Sequence, residues 1–235
     1  MRFNDMTLRS VVILPFLTLL LLSGCGESPT GPAGDHVRPK IGSRYFFQTL
    51  EVEYEDGVVF DRDTAELMGW VETIDTLDDY DDVYGLFIVK RGDTSLSKVW
   101  QYLDNGDIRY IAGVKPYHSY LHPYGGSGEI QYDTIDTHPY YSEHAARFER
   151  VESVTVDGRS YDASVVSDLF VEAIHTGGHP SGIAYGGLMT SYYAPAIGLP
   201  VVQRFEIGAV DEVDGVRRVA EPAMVATMTL IRIEE

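Results

Sequence analysis

The chain has 235 residues, of which 36 are acidic and 18 are basic, so its formal net charge is −18 at pH 7. This acidity argues against nucleic-acid binding, which depends on neutralising phosphates with Lys and Arg, and against electrostatic attraction to anionic membranes. The chain has one cysteine, Cys25, which excludes an internal disulfide framework and a cysteine-ligated zinc site.

The amino terminus has the three parts of a secretory signal peptide. Net basic Met1–Arg9 is followed by the apolar run Val11–Leu22, which is too short to span a bilayer because a transmembrane helix needs about 20 residues. Leu22-Ser23-Gly24-Cys25 then resembles the lipobox of bacterial lipoproteins, in which lipid is attached to the cysteine thiol and cleavage occurs just before it. The resemblance implies that residues 1–24 are removed and that acylated Cys25 anchors the protein.

The segment after the cysteine predicts a tether and a location. Residues 25–40 contain the lipidated cysteine and the Gly- and Pro-rich stretch GESPTGPAGDHVRPK, a flexible linker with a reach of about 20 Å. Gly26 stands where aspartate retains many lipoproteins in the inner membrane, so a bacterial cell envelope location is expected, with the outer membrane favoured.

Residues 41–235 have the period and punctuation of a β domain. Four dipeptides typical of tight hairpin turns divide it: Asp56-Gly57, Asn105-Gly106, Asp157-Gly158 and Asp214-Gly215. Arg91-Gly92-Asp93 is a looser fifth turn. The β-prone runs around these turns are 44–54, 83–90, 96–103, 107–112, 148–156, 159–166, 201–213 and 223–233.

Helical signals are few. Ser142–Arg150 could form one short helix with Ser142 as its cap, and Asp162–His175 is apolar enough to be ambiguous. The predicted fold is therefore all-β: a single antiparallel meandering sheet of about ten strands, strongly curved into a half-barrel or barrel, with at most one or two short helices.

Three segments of the domain resemble a broad group of bacterial envelope lipoproteins. They are Ile41–Phe46, which is similar to a "vGs-x-W/Y" opening strand, Val154–Tyr161, similar to a "v-x-V-pa-G-t-F" hairpin, and Tyr192–Val201, similar to "YyApGvGlV". The resemblance implies a curved antiparallel β fold, like the half-barrels of periplasmic lipoprotein carriers. It implies no catalytic residue.

The region Gly113–His144 is unusually rich in tyrosine, histidine and glycine for one long connection. Tyrosine rings stack on sugars and grip protein partners. The candidate binding surface consists of Tyr117, His118, Tyr120, His122, Tyr124, Tyr140 and Tyr141.

Metal and catalytic signatures are weak. His118 and His122 are four residues apart, but neighbouring prolines oppose a helix; Asp75, Asp78, Asp79, Asp81 and Asp82 lack EF-hand spacing; His175 and His179 flank a turn. No nucleophile elbow, P-loop or dinucleotide fingerprint is present. We therefore predict no catalytic residue, no metal and no cofactor.

The sequence thus predicts a lipid-anchored, non-enzymatic envelope module that binds a protein or a glycan. The first alternative is a carrier or sensor of apolar molecules in the concave face of the sheet. The second is a metal-dependent enzyme.

Overall fold

The computed structural model describes residues 38–74, 77, 80–90, 92–112, 118–126, 129–137, 140–176, 179–180, 185–213 and 216–235. The predicted signal peptide, Cys25 and most of the tether lie outside the described residues, as do Asp75, Asp78, Asp79, Tyr117 and the Asp214-Gly215 turn. Every regular secondary-structure element in the described part of the chain is a β-strand.

The strands differ widely in length, from the two residues of the shortest to the 19 of the last. The first six are β1 (Arg44–Glu55), β2 (Val58–Thr73), β3 (Val83–Lys90), β4 (Asp93–Tyr102), β5 (Ile108–Ala112) and β6 (His118–His122). The others are β7 (Gln131–Thr137), β8 (Tyr140–Val156), β9 (Arg159–Thr176), β10 (His179–Pro180), β11 (Tyr185–Ala194), β12 (Leu199–Val213) and β13 (Val216–Glu234).

Twelve strands form one antiparallel sheet, in the order β6-β5-β4-β3-β2-β1-β13-β12-β11-β9-β8-β7, and β10 pairs with β9 beside it. The edge strands β6 and β7 approach each other, and the Leu121 backbone N–H donates to Asp133 Oδ2 at 2.8 Å. A side chain thus links the two edges, and the sheet is a nearly closed barrel. The predicted fold class is confirmed, with twelve strands instead of about ten.

Tight turns set the register of the hairpins that the sequence predicted. Asp56 and Asp157 have φ of 51° and 50°, and the glycines after them have φ of 74° and 73°. Two consecutive left-handed residues match the right-handed twist of a hairpin, and Asp and Gly tolerate that conformation. The hairpins β1–β2 and β8–β9 follow directly from these dipeptides.

The proposed helix at Ser142–Arg150 is wrong, because these residues form part of β8. His144, Ala146 and Phe148 alternate with half-buried or exposed neighbours, which is the period of a strand with one face in the core. Residues 162–175, ambiguous by sequence, lie in β9. The long connection at 113–144 contains β6 and β7.

One end of the barrel is filled by large side chains. Tyr45, Phe47, Trp100, Tyr193 and Leu230 are all 3% exposed or less. Tyr102 links this group across the barrel, since its ring lies 6.3 Å from that of Trp100 and 6.5 Å from that of Tyr193. We call this end of the barrel, with its packed aromatic core, the closed half.

Candidate functional site

The inward-facing side chains of the other end leave a cavity of about 450 Å³. On β1, buried Tyr45 and Phe47 are followed on the same face by Thr49 and Glu51, which line the cavity. The apolar part of its wall comes from Leu67, Phe170, Met189, Phe205, Ala226 and Met228. We call this end of the barrel the open half.

Lys98 brings a positive charge into the open half. It lies on β4, opposite Leu86 of β3, and it lines the cavity. Its Nζ atom lies 5.4 Å from the centre of the Phe205 ring and 5.7 Å from that of Tyr110. The residue is half-buried, and burial lowers the pKa of its amino group to about 7.

Lys98 has no anionic partner among the described residues. The rings of Phe205 and Tyr110 are its neighbours, and no carboxylate or hydrogen-bond acceptor of the described residues reaches its ammonium. Aromatic faces attract a cation by about 0.5–2 kcal/mol, which is small beside the cost of removing a charge from water. The cavity therefore contains an uncompensated cationic site.

Two histidines share one buried carboxylate beneath the cavity. His144 Nδ1 lies 2.8 Å and His122 Nε2 lies 3.3 Å from Asp168 Oδ2. Asp168 and His122 are fully buried, whereas His144 borders the cavity. Tyr120 also borders the cavity and stacks on the His144 ring, with centroids 4.1 Å apart and planes 2° apart. The strands β6, β8 and β9 thus hold one rigid polar cluster.

Electrostatics keep Asp168 ionised. Burial alone would raise its pKa, but the hydrogen bonds from His122 and His144 hold the pKa of the carboxyl well below its usual range. Burial lowers the pKa of His122, and the hydrogen bond to Asp168 opposes this effect. A neutral His122 with its proton on Nε2 donates to Asp168 and leaves Nδ1 to accept from the Tyr124 hydroxyl, 3.3 Å away.

Ser142 extends this cluster on β8. Its Oγ lies 2.8 Å from His144 Nε2, so carboxylate, imidazole and hydroxyl are connected in the same order as in serine hydrolases. Ser142 is half-buried, and the cavity lining formed by the described residues does not include it. The hydrogen bond therefore helps to fix the His144 ring, and the Ser142 hydroxyl does not face the cavity.

Gln203 supplies a second unsatisfied polar group. Its side chain is 1% exposed and lines the cavity. The amide nitrogen donates to Ser191 Oγ at 3.1 Å, but Oε1 has no hydrogen-bond partner among the described residues. A buried polar atom without a partner costs about 1–3 kcal/mol, which a bound molecule or water would offset.

No family model, no curated protein and no solved structure matches the chain. The chemistry of the site is therefore inferred from its own side chains.

The predicted tyrosine and histidine surface is divided by the structure. His122 and Tyr124, 0% and 2% exposed, lie in the interior and take no part in an exposed surface. Tyr120 and Tyr141 are half-buried. Tyr117 and the side chains of His118 and Tyr140 lie outside the described residues, so their role stays a prediction.

Sequence reasoning missed Lys98, Asp168 and Gln203. Each occupies an inward position of a strand, where an alternating pattern predicts an apolar residue. Asp168 lies between Val166 and Phe170 on the interior face of β9. This interruption of the apolar face was the available signal.

Within the described ranges, no three His, Cys, Asp or Glu side chains are placed to hold a metal ion. Asp81 and Asp82 of the acidic connection are exposed. No helix among the described residues is long and apolar enough to cross a membrane.

Proposed function

We propose that this domain binds a small, largely apolar molecule in the open half of its barrel, and that it does so at a bacterial envelope membrane to which lipid on Cys25 anchors it. The observation that supports the proposal is the cavity of about 450 Å³, with its wall of Leu, Met and Phe side chains. Small-molecule sites are concave and mostly apolar, with a few polar groups that fix orientation.

The same observation favours a carrier over a surface that grips a protein or glycan. A tyrosine-based interface needs its rings on the outside, but Tyr124 and His122 pack in the core. At about 30 Å³ for each water-sized group, the cavity has room for about 15 such groups. This volume suits a fragment of lipid size and excludes a folded partner.

Fluorescence titration with N-phenyl-1-naphthylamine, an uncharged apolar probe, tests the cavity. The full chain carrying Cys25→Ser is the background, so that no acyl chain of its own competes for the space. We expect saturable binding that is lost in Ala226→Trp, because Ala226 lines the cavity and an indole would fill it.

Ala145→Trp is the matched control. Ala145 lies on β8 between inward-facing His144 and Ala146, and its side chain faces the outside of the barrel. We expect this variant to bind the probe as the parent does. Equal affinities for the parent and Ala226→Trp would refute binding in the cavity.

The anchor has a separate test. Metabolic labelling with a radioactive fatty acid should mark the wild-type chain and leave Cys25→Ser unlabelled, because the thiol is the acceptor in the lipoproteins that the lipobox resembles. Labelling that persists in Cys25→Ser would contradict the proposed anchor and leave the cavity unaffected.

A further inference from the structure

The open half combines an apolar wall with one half-buried cation, Lys98, that has no anionic partner among the described residues; half-buried Glu51 and exposed Lys90 also line the cavity. The apolar residues come from strands around the barrel, whereas the charge of Lys98 enters from β4 alone. A preformed site with this distribution discriminates between ligands by the charge of the group that lies beside Lys98.

We propose that the ligand of the cavity is an amphipathic acid whose anionic head group pairs with the ammonium of Lys98 while its apolar part fills the space toward Phe170 and Met189. This inference rests on the proposed function, because it assigns a chemical class to the molecule held in the same cavity.

The first argument is charge compensation. Lys98 has aromatic rings but no carboxylate as neighbours. Asp168 does not serve this purpose: its Oδ2 atom accepts from two histidines, and its Oδ1 atom has no hydrogen-bond partner among the described residues, Lys98 included. Placing an anion beside Lys98 converts a poorly solvated cation into a buried ion pair, which is stronger there than the same pair in water.

The second argument comes from Gln203 at the cavity wall. The free end of its amide is unsatisfied although the side chain is 1% exposed. Because Oε1 is an acceptor and an ionised head group cannot donate to it, a water held by the head group would complete that hydrogen bond. Among the described residues, Lys98 thus lacks an anionic partner and Gln203 Oε1 lacks a donor, and one hydrated anionic head group would supply both.

The third argument concerns selectivity. The chain has a net charge of −18, so its overall field repels anions. A preference for an acid over its neutral analogue must therefore come from a local positive group inside the barrel. Within the described residues lining the cavity, Lys98 is the half-buried cation and Lys90 is exposed.

A matched pair of probes tests the inference. N-phenyl-1-naphthylamine and 1-anilinonaphthalene-8-sulfonate share their ring system, and the second adds a sulfonate that stays ionised at all working pH values. With the Cys25→Ser chain at pH 6, we expect the affinity for the sulfonate to be at least about tenfold higher than the affinity for the neutral probe.

Lys98→Met should remove this preference. We expect the affinity for the sulfonate to fall about tenfold or more, with the neutral probe bound as well as before. Lys40→Met is the control of equal charge, because Lys40 is exposed and pairs with Glu235 on the outside at 2.8 Å. It should leave both affinities unchanged.

The outcomes separate the two proposals. If both probes bind equally, or if Lys98→Met keeps the sulfonate preference, the assignment of an acidic ligand is wrong while the cavity remains a binding site. If neither probe binds the parent chain, the proposed function itself fails, and the assignment fails with it.

Discussion

The two halves of the barrel are built from the same strands by the same alternation, yet they are filled in opposite ways. In the closed half, Tyr45, Phe47 and Trp100 interlock with almost no exposed surface. In the open half, the next inward positions of the same strands leave a space and place Lys98 and Gln203 beside it. The close packing indicates that stability resides mainly in the closed half, and we propose that recognition belongs to the open half.

The polar cluster lies between the two halves. Asp168 and His122 are fully buried, His122 packs against Tyr124 of the core, and His144 borders the cavity. Asp168 Oδ2 joins the two histidines, whereas Asp168 Oδ1 has no partner among the described residues; the hydrogen bonds that are made connect three strands. We infer that this cluster holds β6 against β8 and β9, where the barrel lacks a continuous ladder of paired strands among its described residues.

The largest expected effect on the free energy of unfolding comes from replacing one phenylalanine by alanine in each half and comparing the two losses. Phe47→Ala in the closed half should lower the free energy of unfolding by about 3–5 kcal/mol, because it opens a cavity in close packing. Phe205→Ala in the open half should cost only about 1–2 kcal/mol, because half-buried Phe205 already borders empty space. Urea denaturation measures both, and equal losses would contradict the division.

The next effect concerns the cluster between the halves. Asp168→Asn should lower the free energy of unfolding by about 2–4 kcal/mol at pH 7, since both histidines lose a charged acceptor. Asp162→Asn, at an exposed site of the same strand, should stay within about 0.5 kcal/mol of the wild type.

The pH dependence of that difference has a defined sign. The folded pKa of Asp168 lies below the unfolded value because His122 and His144 donate to it. Its stabilisation is therefore complete above about pH 5 and is lost as the pH falls below about 4 toward the folded pKa. An Asp168→Asn deficit that persists undiminished at pH 3 would contradict the hydrogen-bonded carboxylate.

Lys98→Met should have a smaller effect in the opposite direction, with a gain of about 1–3 kcal/mol in unfolding free energy at pH 6, because a poorly compensated cation is replaced by an apolar side chain. Folding lowers the pKa of Lys98 to about 7. The free energy of unfolding of the wild type therefore rises between about pH 7 and 10, where Lys98 binds more protons in the unfolded state than in the folded state. The advantage of Lys98→Met over the wild type declines over the same range.

The groups that share the environment of Lys98 are Glu51, Lys90, Tyr110, Tyr120, His122 and His144. These groups are the same in the wild type and in Lys98→Met. The difference between the two curves of unfolding free energy against pH therefore reports the contribution of Lys98. A destabilised Lys98→Met at pH 6 would show that the amino group serves the fold and not a ligand.

The smallest expected effect is at Ser142. A fluorophosphonate that modifies activated serines should leave the wild-type chain unlabelled, because Ser142 does not line the cavity formed by the described residues. Intact-mass spectrometry measures the adduct. Stoichiometric labelling that disappears in Ser142→Ala would contradict a non-catalytic site.

The fold was more accessible from the sequence than the site. Asp56-Gly57 and Asp157-Gly158 specify hairpins by local backbone conformation alone, so the hairpins could be predicted. The strand identity of Ser142–Arg150 could not, because it depends on His144 and Phe148 being buried by distant strands. Long-range packing overrode the local capping signal.

The site required tertiary contacts that no spacing encodes. His122 and Asp168 are 46 residues apart in the chain, and His144 and Asp168 are 24 apart. Lys98 has no motif, and its significance comes from the absence of a carboxylate around it among the described residues. In the sequence it is one of 18 basic residues, and no pattern distinguishes it from the others.

A crystal structure of the Cys25→Ser chain with decanoate tests the central claim most directly. We expect one decanoate in the open half, with its carboxylate within about 3 Å of Lys98 Nζ and its tail against Phe170 and Met189, while Lys98→Met crystals treated identically stay empty. An unoccupied cavity at saturating decanoate, or a carboxylate that avoids Lys98, would contradict the account.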